Sequence, residues 1–516
     1  MFMKKIKMAC IALVASASIL PAMAGGLLTN TNQSVAFLRN PAREGAIGID
    51  GVYSNPAGVA MMKDGLHLEL NWQSAWQTRT INTTCPLFSL GVQNNGETTK
   101  KFKGNAEAPV LPSILAAYNK NRWSFQFGFA LNGGGGKCEF ENGLGSFESA
   151  VGMIADKLSP FGAQGYDANS YMQGKQYYFG FTLGAAYRLI DQPKQKLSVY
   201  GGMRVLYGSA SYKAKISDIM VKTANGMVPF GTFLDATDAY ISSNLATINE
   251  NLPKINAGLA QLEPVKDVPG YKEQYDKLSA QKVQLEGAKA QLEGAQPQVN
   301  ALGVYREGVN LQSDQSDFGF APIVGVDYQI GNFNFAAKYD FRVKMAMENE
   351  STVKEAHAIP AVNKFRDGTS VREDAPALLA VGAQWAITPS LRVNAAYHYF
   401  FDKESKKYQD EQEKLKGGTN EYLGGIEYDV IDKLTVSGGF QITRYGLSDE
   451  FMNDMSFVTD SWSFGFGLKY QVSDRVAINA AYFKTCYDHY KTETPEISND
   501  FTRTNRVAGV GVELTF

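Results

Sequence analysis

From residue 66 onward the chain repeats one pattern, an apolar or aromatic side chain at every second position with a small or polar partner between. Leu66, Leu68, Leu70 and Trp72 alternate with His67, Glu69 and Asn71, and Trp123, Phe125, Phe127 and Phe129 with Ser124, Gln126 and Gly128. The same spacing returns at 177–187, 197–207, 318–328, 333–341, 391–399, 422–428, 434–442, 462–470 and 476–482, and in the final VAGVGVELTF. With weaker segments near 109–118 and 375–387, fourteen strands are predicted. Period two puts all apolar residues of a strand on one face. Such a face lies either in a sandwich core or against lipid. The segments are about ten residues long, enough to cross a bilayer obliquely. Tyr187, Tyr328 and Tyr470 stand near strand ends, as membrane girdles do.

The connections decide between the two. Short turns near 119–121, 190–195, 331–332, 388–390, 431–433 and 473–475 alternate with long connections near 81–107, 132–174, 214–316, 347–372, 402–418, 446–457 and 488–504. Short turns on one side and long loops on the other predict an all-β, transmembrane, fourteen-stranded antiparallel barrel over 66–516 with periplasmic termini. Backbone groups in hydrocarbon must all be paired, so the last strand must meet the first. No run of 18 apolar residues follows the N-terminus, and mean hydropathy is −0.23, so no membrane helix is expected. Lys+Arg 50 against Asp+Glu 52 lacks the basic excess of a nucleic-acid binder.

Three segments depart from the pattern. Lys4, Lys5 and Lys7, an apolar stretch and Ala22-Met23-Ala24 predict a signal peptide over 1–24. Residues 25–65 show little alternation yet are apolar; a wide lumen needs filling, which points to a plug, or hatch, inside the barrel. In the third long loop, Ile241, Leu245, Ile248, Leu252, Ile255, Leu259 and Leu262 keep heptad spacing and QLEGA occurs twice, predicting a helical hairpin over 238–300 outside the cell. Cys85 and Cys138 are placed in loops on one side and form a possible disulfide, although sequence cannot fix the pairing. GGGGKC (133–138) misses the P-loop spacing, the four histidines are scattered, and no metal site, cofactor or catalytic set is expected.

EGAIGIDGVYSNPAG (44–58), with Asn55-Pro56-Ala57 some thirty residues past the cleavage point, resembles the hatch of FadL-type outer-membrane transporters for long-chain fatty acids and other hydrophobic compounds. The terminal Phe516 resembles the signal such barrels present to their assembly machinery. The resemblance implies a monomer among outer-membrane lipids. It also implies capture of an apolar ligand in the extracellular loops, passage to a lumen pocket, and release by hatch rearrangement through a wall opening beside the third strand. Asn55, Pro56 and Ala57 would then shape and gate the hatch. Gly128, Gly133 and Gly134 mark the possible wall opening, although Gly133–Gly136 also reads as the start of a loop. The hydrophobic capture set is Leu144, Phe147, Val151, Met153, Ile154 and Leu158, with Met227, Val228, Phe230, Phe233 and Leu234. Arg204, Arg392 and Arg506, taken as inward, are carboxylate partners. A general porin and a surface adhesin using the hairpin are the alternatives; haem and aromatic hydrocarbons rival fatty acids as cargo.

Overall fold

The computed structural model describes residues 27–355 and 360–516; the cleavage signal, Cys10 and His357 lie outside them. Fourteen staves form one closed antiparallel sheet. They are β1 Gly65–Thr84, β2 Thr99–Lys120, β3 Trp123–Phe140, β4 Gly165–Gln192, β5 Gln195–Thr223, β6 Val309–Ile330 and β7 Phe333–Asp340. The rest are β8 Leu378–Thr388, β9 Leu391–Phe400, β10 Thr419–Ile431, β11 Leu434–Arg444, β12 Ser461–Ser473, β13 Val476–Tyr487 and β14 Ser498–Thr515. Short strands Ala346–Ser351 and Ser370–Arg372 extend the wall upward from β7 and β8.

The barrel closes between β1 and β14. Their register is unbroken from His67 opposite Thr515 to Thr84 opposite Ser498. Leu66 and Phe516 exchange backbone hydrogen bonds of 3.2 and 2.9 Å, so the last residue still belongs to the ladder.

The alternation is inverted relative to a soluble sheet. Trp72, Phe125, Leu183, Phe320 and Phe466 are exposed on the outer face, Phe320 by 71%. Their neighbours Glu69, Asn71, Gln73, Gln126 and Asn394 point inward and are buried. An apolar outside around a polar, filled inside is what a hydrocarbon solvent selects.

The wall is uneven. β1 to β6 run from 18 to 29 residues, well beyond the ten expected, whereas β7 to β13 run from 8 to 13. The long strands continue above the apolar band, where their outward positions turn to Lys101, Lys103, Lys175, Lys213 and Lys215. The alternation persists there but its sign becomes polar, so the sequence reads as loop. On this raised rim sits an extracellular core. Helix α3 (Gly145–Lys157) buries Phe147, Val151 and Ile154 against it, held at its N-terminus by Asp454, which accepts from the Ser146 N–H at 2.7 Å. Helices α4 (Phe230–Leu262) and α5 (Lys272–Leu302) form the hairpin. Its base, with Phe230, Phe233, Leu234, Ile241, Val299 and Leu302, joins the same core. Thirty-three residues give α4 a length of about 50 Å.

Two expectations are corrected here. Cys85 and Cys138 are both free, buried thiols. Cys138 lies in β3, level with Ala106 and hence with Gln77 of β1, so Cys85 stands eight residues further up. That is about 26 Å along a strand, far outside disulfide reach. Arg506 is exposed and faces outward. It shares parity with Val510 and lies opposite Trp76, both lipid-facing, whereas the inward residues of β14 are Arg503, Asn505 and Val507.

Candidate functional site: a wall gap closed by the hatch

The leading segment, Leu27 to Asp64, occupies the lumen and is almost wholly buried. It carries two short helical turns, α1 Val35–Arg39, capped by Ser34 Oγ, and α2 Gly51–Ser54. Most of its fastenings are polar. Arg39 and Arg43 both reach Glu427 Oε1, at 2.8 and 3.0 Å, and Arg43 also pairs with Asp50 at 2.7 Å. Glu44 bonds His398 Nε2 at 2.7 Å while Glu421 faces Nδ1 at 2.9 Å. Lys338 donates to the Tyr53 carbonyl at 2.7 Å, and both Lys338 and Arg204 lie over the Tyr53 ring.

The Asn55-Pro56-Ala57 turn touches three strands. Asn55 Nδ2 donates to Asp327 at 2.6 Å, Gln126 donates to the Pro56 carbonyl at 2.7 Å, and Ser198 donates to the Ala57 carbonyl at 2.5 Å. Asn55 Oδ1 also accepts from the Gly58 N–H at 3.0 Å, which fixes the turn locally. The earlier triplet Asn40-Pro41-Ala42 is built alike, with Asn40 Oδ1 accepting from Ala42 N at 3.3 Å and Nδ2 reaching Asn394 at 3.2 Å.

One place in the wall lacks strand pairing. β2 and β3 pair from Asn105–Glu107 with Glu139–Lys137, and pairing resumes only at Ile114 opposite Phe129. Residues 108–113 and 130–136 are left without each other. The sequence there is unsuited to a ladder. Pro109 and Pro112 have no N–H to donate, and Gly134 takes φ +67 at a bulge against β4. The hatch supplies the missing partners. Asn30 N donates to the Asn132 carbonyl at 2.7 Å, Asn30 Nδ2 to the Gly134 carbonyl at 3.0 Å, and Gln33 Nε2 to the Leu131 carbonyl at 2.9 Å. On the β2 side Ser113 Oγ donates to the Gln33 carbonyl at 2.7 Å. Gly133 must be glycine, because a Cβ there would lie 2.4 Å from the Leu28 carbonyl oxygen.

The gap is also the apolar crossing of the wall. Phe37 and Leu38 of the hatch cluster with Ala108, Leu111 and Leu131, and the partly buried Tyr177 and Phe179 pack on that cluster. Tyr177 and Phe179 share the outward parity of the exposed Phe181. A chain of apolar contacts therefore links the lipid side to the lumen. Gly128 lies below, in regular pairing, where its missing side chain seats Val52 of the hatch, 3.3 Å from an ideal Cβ.

Of the remaining candidates, Leu144, Phe147, Val151, Ile154, Leu158, Phe230, Phe233 and Leu234 are buried in the extracellular core and Val228 packs on it. Met153 is half-buried and Met227 exposed. The set is packed shut. Arg204 and Arg392 face inward and already meet carboxylates, Asp340 at 2.9 Å and Asp429 at 2.7 Å. Two buried lysines near the top of the lumen escaped sequence reading. Lys407 pairs with Glu373, and Lys364 lies 5.2 Å from the Tyr408 ring, its pKa lowered by burial. Asp402 binds the first described residues: it accepts from Leu27 N at 3.4 Å and from Thr419 N at 2.9 Å, and burial pushes its pKa up to about 6.

No protein-family model and no curated protein matches the chain. Solved structures do. A Pseudomonas aeruginosa FadL homologue superposes with a TM-score of 0.56 at 11% identity, covering 95% of this chain and 100% of that one. The TodX deltaS2S3 mutant, a monoaromatic hydrocarbon channel, gives 0.50 at 13% identity, with 94% and 99% covered. A fourteen-stranded wall, a leading segment folded into its lumen and agreement over the whole chain together give this protein the FadL-type fold.

Proposed function

We propose that the protein is an outer-membrane transporter that carries hydrophobic small molecules inward, with long-chain fatty acids as the leading cargo. The carrying observation is the unpaired stretch between β2 and β3, bridged by Thr29–Gln33 and lined by an apolar path. Pairing left out of a barrel wall is costly in lipid unless another segment satisfies it. A plug segment that does so through a handful of bonds, one of them backbone to backbone and the rest from side chains, is able to leave and return, because water in the lumen replaces those partners at small net cost. The FadL homologue and the hydrocarbon channel, by their names, favour apolar cargo. A general porin fits poorly with a lumen occupied by a buried hatch.

The cargo enters through the extracellular core, whose candidates from Leu144 to Leu158 and Val228 to Leu234 part when α3 lifts from Asp454. Each methylene moved into such a site contributes about 0.8 kcal/mol, so an acyl chain binds with few polar contacts. Lys364, buried beside the Tyr408 ring, offers a carboxylate head its cation. Hatch displacement then frees the path past Leu131.

The test is a lock across the gap. Gln33→Cys and Ser113→Cys, introduced with Cys85→Ala, Cys138→Ala and Cys486→Ala, join hatch to β2 where Ser113 meets the Gln33 backbone. Oxidised protein in cells should lose oleate uptake and recover it with reductant, while glucose passage stays negligible throughout. Undiminished uptake in fully cross-linked protein would overturn the reading.

A further inference from the structure

The outer wall carries a second feature that transport does not use. Five staves, β11 to β14 and β1, enclose a shallow lipid-facing groove of about 1170 Å³, with Trp72, Trp76, Phe466 and Tyr482 around a floor that includes Ala480 and Ala508. At neighbouring positions the wall bears large side chains; here two alanines leave it hollow. Four inter-strand spacings make the groove about 19 Å wide, room for several acyl chains abreast.

One outward row above Ala508, and two above Ala480, stand two cations. Lys484 of β13 and Arg506 of β14 are direct cross-strand partners on the outer face. Side chains so placed start about 5 Å apart, and like charges there repel. Among the described residues neither side chain has an ion-pair or hydrogen-bond partner to offset that repulsion. Along the same row Trp76 flanks Arg506 and Phe464 flanks Lys484; the next carboxylate, Glu107, lies beyond Trp76. Arg506 stands nine residues above Thr515. On a tilted strand that is about 23 Å of height, the extracellular edge of an apolar band of about 25 Å.

We infer that this groove and the Lys484–Arg506 pair form a binding site for a phosphorylated, multiply acylated glycolipid of the outer leaflet, acyl chains in the groove and phosphate on the two cations. Cations at this depth face lipid head groups, and an anion between them turns mutual repulsion into two charge-assisted contacts. The width of the groove suits several chains on one head group better than the paired chains of a phospholipid. The inference rests on the outer-membrane setting proposed above, but not on transport or its cargo.

Native mass spectrometry of the full chain in mild detergent, titrated with hexa-acyl lipid A, reads the site directly. Wild-type protein should retain lipid A, and Lys484→Gln/Arg506→Gln should bind about thirtyfold more weakly, the scale of two interfacial charges. Ala508→Trp, which fills the groove, should weaken binding as well. Heat-modifiable gel mobility shows whether each variant is folded, and oleate uptake should be unchanged in both. Equal lipid A retention by wild type and the folded double variant would overturn the site. Phosphatidylglycerol binding as tightly as lipid A, or inorganic phosphate displacing lipid A at millimolar concentration, would overturn the glycolipid assignment. Absence of oleate uptake by wild-type protein that still binds lipid A would count against the transport reading alone.

Discussion

Two seams of this barrel, β1–β14 and β2–β3, are made from the same alternating chain and close in opposite ways. Between β1 and β14 the register never slips, and the ladder continues to the backbone of Phe516. Between β2 and β3 it lapses over residues 108–113 and 130–136. The first seam has Val507, Val510 and Val512 beside small residues, each with an N–H to give. The second has two prolines facing four glycines. A barrel in lipid thus closes by default and opens only where its backbone loses donors and another segment supplies them. Here that segment is the hatch, which bonds to both sides of the unpaired stretch.

The comparison can be broken at several points, the locked gap described above being the largest in effect. Next is a charge on the closed seam. Val510 is 54% exposed to lipid, and Val510→Arg should cost about 2–4 kcal/mol near the midplane. Denaturant titration in lipid reads the loss, while oleate uptake per folded molecule should not move. A fall in specific uptake would mean that the seam takes part in gating.

A smaller effect is expected from the hatch itself. Asn55→Ala removes one donor to Asp327 and leaves it Asn334 at 2.8 Å, and should loosen the hatch by about 1–3 kcal/mol. Limited proteolysis within residues 27–64 should quicken. Unchanged proteolysis would show that the turn is held by packing alone.

The smallest effect concerns pH. The Asp402 carboxyl, ordinarily near 3.8, is pushed up to about 6 by burial. A raised acid favours the folded contact most when protonated; its contribution is full below 3.8 and is lost as pH rises through about 6. The folded packing that buries Asp402 should therefore be more stable at pH 5 than at pH 7.5, although the Leu27 N–H bond itself favours the carboxylate. Comparing thermal unfolding of wild type and Asp402→Asn at both pH values tests this, because the variant should lose the difference.

Much of the barrel was legible because lipid tolerates no exceptions. A strand facing hydrocarbon on one side must alternate strictly, and turns between such strands must be short where little chain is needed. Legibility failed where that constraint lapses. Above the membrane the strands continue with Lys and Glu on the outside, so residues 99–107 and 165–174 read as loop. Arg506 was misplaced by one position of parity, and the disulfide ignored how far apart register sets its two cysteines. The gap did leave a trace, the APVLPS run at 108–113, where two prolines interrupt a strand that otherwise alternates.

The sequence by itself determined a lipid-facing cylinder, its stave count and the presence of an apolar leading segment, since each follows from periodicity and composition within about ten residues of chain. Only the tertiary structure decided which seam stays open and what fills it. That outcome depends on Asn30 and Gln33 meeting Asn132, Gly134 and Leu131 across about a hundred residues of sequence, and on Lys484 and Arg506 arriving side by side. Such meetings are set by register and by the path of the leading segment, and neither is encoded in local pattern.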